Sequence, residues 1–234
     1  MMMVPPDMMP ESAKTDDELR ARHLRVAEPS PWVARFAHLV PAKGLVLDLA
    51  CGGGRHARYF AGRGHPVVAL DRDTTALRES APTGVEILAA DLENGAPVFD
   101  PPGPLAGRAF AGIVVVNYLY RPLLPRLLDL LDRGGALIYE TFARGNERFT
   151  RPRNPDHLLK AGELLEFARG RLQVVAYEHG IVEGDPIPGV KQRLAAVNDL
   201  GRSTRAATGE SPPPNDKGRE DSLAAGEPEP HPLA

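Results

Sequence analysis

The chain has 234 residues, 42% of them apolar and 25% charged, with a formal net charge of −3, which is the composition of an ordinary water-soluble globular protein. That length can bury the core of one domain without a metal or disulfide staple. The single cysteine, Cys51, excludes an intramolecular disulfide and a cysteine-based zinc cluster and fits a reducing, cytoplasmic setting. No stretch approaches the roughly 20 uninterrupted apolar residues that span a bilayer, and the N-terminus carries prolines and acids where an export signal needs a basic and then an apolar region.

Residues 1–29 read as a flexible leader, with all five methionines in the first nine positions among prolines. Ser30 followed by Pro31 is an N-cap with proline at N1, and Trp32, Val33, Phe36, Leu39 and Val40 then recur at helical spacing. Short β-branched runs at Leu45–Ala50, Val67–Asp71, Val85–Ala90, Ile113–Asn117 and Ala136–Phe142 predict five buried strands. Helices are expected between and after them at about Arg55–Arg63, Thr74–Ser80, Leu123–Asp132 and Ala161–Arg169, with Gly64, Gly134 and Gly170 at or just beyond their C-terminal ends. Leu92–Ala109, rich in proline and glycine, has no period and reads as a loop, with room for one short helix. Leu172–Val182 and Val190–Asn198 read as a closing antiparallel hairpin whose turn holds Gly184, Pro186 and Pro188. From Gly201 onward six prolines, four glycines and no aromatic describe a disordered tail. The alternation predicts an α/β fold in three αβα layers, with a Rossmann-like, seven-stranded, mostly parallel sheet. Each flank carries four bases against six acids, which leaves the domain at 30–200 with +1, so no global basic field marks a dedicated nucleic-acid binder.

The densest chemical signal is VLDLACGGGRHARYFAGRG, in which a strand passes Asp48, turns through Cys51, Gly52, Gly53 and Gly54, and enters a helix. Glycines there let backbone approach a ligand closely. Asp71 closes the next strand 19 positions after Gly52, where a carboxylate can accept both hydroxyl protons of a ribose. Asp91, in AADLEN, adds a third group at the same C-terminal edge of the sheet. Each alone reads equally well as a turn glycine or a capping aspartate; the three in register point to a nucleoside ligand. The consecutive glycines depart from the G-x-G-x-x-G spacing of dinucleotide folds, and the P-loop pattern is missing.

These residues resemble the three cofactor motifs of the class I S-adenosylmethionine-dependent methyltransferases: the D-x-A-C-G-x-G turn at Asp48–Gly54, the strand-end Asp71, and the AADLEN aspartate. The resemblance covers roughly Ser30–Asn198. It implies that the turn, with Asp48, Ala50, Cys51, Gly52 and Gly54, holds the methionyl end of S-adenosylmethionine. Asp71, with Arg72 beside it, would take the ribose hydroxyls, Asp91 and the backbone of Leu92 the adenine amino group, and Asn117 the methionine moiety. The short N-terminal helix and H-A-R-Y-F are most similar to small-molecule methyltransferases of the tellurite-resistance type.

A sulfonium methyl needs alignment more than activation, and orientation alone supplies up to ~7–11 kcal/mol. His56, Tyr59 and His157 are possible rim groups, and none stands out as a base. Tyr118 and Tyr120 in NYLYRP are candidate acceptor contacts, or else amphipathic packing at the core edge. The segment lacks the two prolines of the N-P-P-Y element, which argues against base or protein amide acceptors. Arg144, Arg148, Arg151 and Arg153 crowd the stretch after the fifth strand; Arg151 and Arg153 are candidates for holding an anionic acceptor, the alternative being a solvated loop. Cys51 reads as a small packing side chain, and His157 and His179 as structural. The expectation is methyl transfer to a small, anionic or soft nucleophilic acceptor, without metal or membrane. RNA is the enzymatic alternative, a non-catalytic S-adenosylmethionine-binding regulator the non-enzymatic one, and a nicotinamide dehydrogenase a third, weakened by the glycine spacing.

Overall fold

A computed structural model of the chain describes residues 26–183 and 187–199. The rest of the leader, the hairpin-turn residues Gly184 and Pro186, and the C-terminal tail lie outside the described residues. Twelve helices and strands organise the described part: α1 Pro31–Phe36, β1 Val46–Leu49, α2 Arg55–Ala61, β2 Val67–Asp71, α3 Thr75–Arg78, β3 Val85–Ala89, β4 Phe110–Val116, α4 Leu124–Asp129, β5 Leu131–Phe142, α5 Glu163–Ala168, β6 Gln173–Val182 and β7 Gly189–Val197.

The seven strands form one sheet in the order β3-β2-β1-β4-β5-β7-β6. The first five are mutually parallel, and β7 runs antiparallel to both β5 and β6. β1 is buried along its whole length and β4 along all but its last residue, as expected for central parallel strands covered on both faces. One face is covered by α1, α2 and α3 through Trp32, Phe36, Phe60 and Leu77. The other is covered by α4 and α5 through Leu124, Leu127, Leu128 and Leu164. These are the three expected layers.

The N-cap reading of Ser30 holds: its Oγ accepts the Trp32 amide at 3.2 Å, and the Trp32 Nε1–H donates to the Leu194 carbonyl at 3.3 Å, fastening α1 to β7. Gly64 and Gly170 are left-handed where the helix ends were expected. Several boundaries differ from the sequence reading. The helix expected over Leu123–Asp132 stops at Asp129, because Leu131 is drawn into β5 by pairing with Phe110. Gly134, expected to follow that helix, therefore lies inside β5, left-handed, with its amide donated to the Asn198 carbonyl at 2.9 Å. β4 starts at Phe110 and ends at Val116, which leaves Asn117 just past the strand. Residues 92–109 contain no helix.

The order of the sheet decides where a ligand can sit. Connections from β1 run outward to β2 and β3 on one side, while β4 and β5 extend the sheet on the other. The switch point therefore falls between the C-terminal ends of β1 and β4, where open α/β sheets leave a crevice.

Candidate active site

A cavity of about 580 Å³ opens at that switch point. Its wall is built from strand ends in spatial order: Ala90–Glu93 after β3, Asp71–Asp73 after β2, Ala50–Gly53 after β1, Val116–Leu119 after β4, and Thr141–Phe142 at the end of β5. Arg55 and His56 from α2, together with Val26, Pro152, His157 and Ile187, complete it.

The glycine turn has the backbone its sequence demands. Gly52 at φ +53° and Gly54 at +75° are left-handed, a conformation glycine adopts without strain, and Ala50 just before them is left-handed too, at +53°, where its Cβ is strained. Asp71 ties the turn down: its Oδ2 accepts the Gly52 amide at 2.8 Å, while its Oδ1 accepts the Asp73 amide at 3.0 Å. An ionised carboxylate has about four acceptor positions, so Asp71 keeps capacity for further donors from the cavity. Asp91 makes a matching turn after β3, its Oδ1 accepting the Glu93 amide at 2.9 Å.

Asn117 is also left-handed, at φ +57°, and donates its amide to the Glu140 carbonyl at 2.8 Å. Its Oδ1 is buried and meets no hydrogen-bond partner among the described residues. A buried acceptor left without a donor costs free energy unless a ligand or water supplies one. Tyr118 sits beside Glu93, and burial, reinforced by that carboxylate, pushes its hydroxyl above the ordinary phenol value. It stays protonated, offering a donor hydroxyl and no base.

Of the residues singled out in the sequence, Ala50, Cys51, Gly52, Asp71, Arg72, Asp91, Leu92, Asn117 and Tyr118 line the cavity. Asp48 lies beneath it, 1% exposed, its Oδ2 accepting the Ala57 amide at 2.9 Å at the start of α2. Gly54 packs against Leu77 rather than facing the cavity. Tyr120 is not on the wall; it precedes the short 3-10 turn Arg121–Leu123. Arg151 and Arg153 are not on the wall either, and Pro152 between them is.

Cys51 is a wall residue with a buried thiol whose pKa is pushed well up by burial, then by Asp48 and Asp71, so it is no nucleophile. His157, read as structural, lies on the wall, whereas His179 is exposed on β6. Thr141, Phe142, Ile187, Glu93 and Val26 were not singled out at all. The rule that carboxyl ends of strands face the ligand would have found Thr141 and Phe142. Nothing in the sequence pairs Val26 with Phe142 and Ile187, which pack as one cluster with Leu158.

The loop carrying His157 is pinned by one guanidinium. Arg121 grips both carboxylate oxygens of Glu163 at 2.6 and 2.9 Å, and donates to the carbonyls of Asp156 at 2.7 Å and Leu158 at 2.9 Å, which flank His157. Glu163 also accepts the Lys160 amide at 2.7 Å. Forked charge-assisted bonds of this kind fix orientation as well as adding attraction.

Among the described residues no group of acids, histidines and cysteines could hold a metal ion, and no helix is long and apolar enough to cross a membrane.

No protein-family profile matches the chain, and no curated protein sequence does. Solved structures do. TehB from Haemophilus influenzae superposes with a TM-score of 0.56 at 16% identity, over 71% of this chain and 61% of that one; this chain thus spans less than two thirds of its length. The 1,6-didemethyltoxoflavin-N1-methyltransferase of Burkholderia thailandensis, solved with S-adenosylhomocysteine, gives 0.55 at 19% identity over 79% and 81% of the two chains. An S-adenosylmethionine-dependent methyltransferase of Methanosarcina mazei gives 0.53 at 15% over 74% and 99%. Together with the strand order and the antiparallel closing hairpin, these likenesses show that the chain has the class I S-adenosylmethionine-dependent methyltransferase fold.

Proposed function

We propose that the protein is an S-adenosylmethionine-dependent methyltransferase acting on a small molecule. The observation that carries the reading is the glycine turn tied to Asp71 through the Gly52 amide, at the switch point of a methyltransferase-type sheet and on the wall of a cavity of ligand size.

The residues fit the cofactor. Asp71 has acceptor capacity for two ribose hydroxyls, and the backbone of Gly52 and Gly53 allows close approach of the methionyl part. The partnerless Asn117 Oδ1 suits a donor such as the cofactor's ammonium. Asp91 and Leu92, at the far end of the wall, suit the adenine amino group. When bound, the cofactor supplies an electrophilic sulfonium methyl.

The chain's own residues then orient and exclude water. Tyr118 offers a protonated hydroxyl, and Phe142, Ile187 and Val26 an apolar wall. His157 sits at a fixed position on the loop held by Arg121. The apolar wall and the modest cavity support a small acceptor, and one of the superposed structures is named for methylating a small molecule, 1,6-didemethyltoxoflavin. Arg55 and Arg72 are the arginines on the wall, so an anionic acceptor would be met by them rather than by the Arg151 and Arg153 side chains.

Calorimetric titration with S-adenosylmethionine, S-adenosylhomocysteine and, as control, NADH tests the reading. The expected result is binding of both adenosyl ligands and not of NADH. Asp71→Ala should weaken both at least about tenfold, since charge-assisted hydrogen bonds contribute about 1.5–3 kcal/mol each. Failure of both to bind, or unchanged affinity in the variant, refutes the assignment. Methyl release to an acceptor panel, and not to RNA, is expected to follow.

A further inference from the structure

The order of the sheet divides the cavity wall in two. The ends of β1, β2 and β3, with Asn117, make the half that suits the cofactor; the rest gathers at the end of β5 and has another character. Thr141 and Phe142 close β5, Pro152 and His157 come from the loop after it, Ile187 from the run into β7, and Val26 from the N-terminal segment. Four of these six are apolar, and they border the same cavity as the glycine turn.

The apolar groups on β5 and after it are held from within the fold. Phe142 is 3% exposed. The wholly buried Lys191 sets its Nζ 5.3 Å from the Phe142 ring centroid, and the ring Cε1 lies 3.0 Å from the place a Cβ on Gly189 would take, so β7 passes the ring as closely as a glycine allows. The Pro152 carbonyl accepts the Asn146 Nδ2–H at 3.1 Å, and Asn146 Oδ1 accepts the Val190 amide at 3.1 Å. Phe142, Leu158 and Ile187 form one buried cluster, and Val26 packs against it.

Val26 is the member of this wall that neither the sheet nor its loops supply. Residues 26–30 carry no helix or strand, and the first turn of α2 fastens them at two points. Arg55 Nη1 donates to the Glu28 carbonyl at 3.3 Å, and the Ser30 amide donates to His56 Nε2 at 3.2 Å. Arg55 and His56 follow Gly54 directly and are themselves wall residues. Ala27 and Glu28 are exposed, while Val26 is half-buried on the cluster. The segment thus reaches from the helix after the glycine turn to Phe142, and its far end is part of the cavity wall.

We propose that Val26, carried on the segment that Arg55 and His56 hold, forms the acceptor subsite with Phe142, Pro152 and Ile187, and that its side chain sets how long an apolar body the subsite takes: a hydrocarbon chain or ring bearing the nucleophile that receives the methyl group. The inference rests on the S-adenosylmethionine reading above, which gives the other half of the cavity to the cofactor. Apolar groups leaving water for such a wall gain about fourfold in affinity per methylene, whereas polar groups placed against it would lose their water without gaining partners.

The test is methyl NMR of the full chain, labelled at its isoleucines and titrated with straight-chain alcohols from 1-butanol to 1-octanol, with and without saturating S-adenosylhomocysteine. Ile187 is the reporter, and Ile181, 59% exposed on β6, is the control for indiscriminate apolar binding. The affinity read at Ile187 should rise about fourfold per methylene until the chain fills the subsite, and Ile181 should not follow. Val26→Ala, which removes two methyl carbons, should move the end of that rise one or two carbons along the series. Val26→Asp should abolish the rise.

An affinity at Ile187 that does not depend on chain length overturns the proposal, as does movement of Ile181 in step with Ile187 or the same length limit in Val26→Ala. Calorimetric binding of S-adenosylhomocysteine reports whether each variant folds, and if Val26→Asp does not, Val26→Ala decides. Failure of the unmodified protein to bind S-adenosylhomocysteine refutes the cofactor reading itself, a different outcome from a ligand-loaded protein whose length limit ignores Val26.

Discussion

Gly54 gives the sharpest test of the turn. It is left-handed, at φ +75°, and a Cβ built on it would fall 2.2 Å from Leu77 Cδ1, inside a core where Leu77 is fully buried on α3. Two costs follow for Gly54→Ala. Forcing a left-handed alanine costs about 1–2 kcal/mol, and overpacking against Leu77 adds about 1–3 kcal/mol, for a loss of about 2–5 kcal/mol. Gly64 separates the two, since it is left-handed at +82° with nothing within 4 Å of its Cβ position, so Gly64→Ala should lose only the conformational part. Urea denaturation of both variants measures the difference. Leu77→Ala is itself expected to cost about 2–5 kcal/mol, but it opens the space that the new methyl needs. The Gly54→Ala, Leu77→Ala double variant should therefore be about 1–3 kcal/mol more stable than the sum of the single losses. Equal losses at positions 54 and 64, or strict additivity with Leu77→Ala, would refute the packing role.

Asp48→Asn should gain stability relative to the unmodified protein as pH rises. The folded carboxyl pKa, raised to about 7 from 3.8, means that the unfolded chain ionises first, so stability present below the unfolded value is lost until the folded pKa is passed. From pH 5 to 7 that is about 2–3 kcal/mol, and stability curves for the two proteins that stay parallel over this window would contradict it. Glu140→Gln should cost about 3–5 kcal/mol, because Lys191 Nζ, 2.8 Å from Glu140 Oε1 and wholly buried, loses its carboxylate; Lys191→Met in the same background should recover most of it in thermal denaturation. Cys51 should resist iodoacetamide at pH 8 in the folded protein and react on unfolding, its thiol held neutral by burial; alkylation faster than unfolding would show an open, activated thiol.

The parts of the site legible in the sequence are those encoded locally. A run of three glycines between an apolar strand and a helix reads alone equally well as a plain turn, but Asp71 follows it at a spacing set by one helix and one strand. The parts that were not legible depend on which strand ends the sheet order brings together. Val26 and Ile187 are 161 positions apart, yet both belong to the cluster around Phe142, because β7 returns beside β5. Arg151 and Arg153 illustrate the limit of charge counting: the excess of arginine marked a loop that reaches the wall, but it is Pro152 between them that lines it. Helix ends moved for a similar reason, since Leu131 satisfies the apolar period of α4 and the pairing with Phe110 equally well, and the sheet took it.

Glu140 shows how a polar residue in an apolar run can mark the route by which distant parts of the site are held in register. Within β5 it reads as an intrusion, and burying it would be prohibitive without partners. Its Oε1 meets Lys191, its Oε2 accepts the Ser30 hydroxyl, and Arg193 lies 3.4 Å from Oε2 on the neighbouring strand. Ser30 continues the chain through its amide to His56, and His56 through Nδ1 toward Asp48. The N-cap of the first helix, a signal whose usual task is to accept one of the helix's first amides, therefore also joins β7 and β5 to the underside of the glycine turn. One serine thus couples the closing hairpin to the carboxylate beneath the glycine turn, and every polar group of that polar chain finds a partner at the centre of an otherwise apolar sheet.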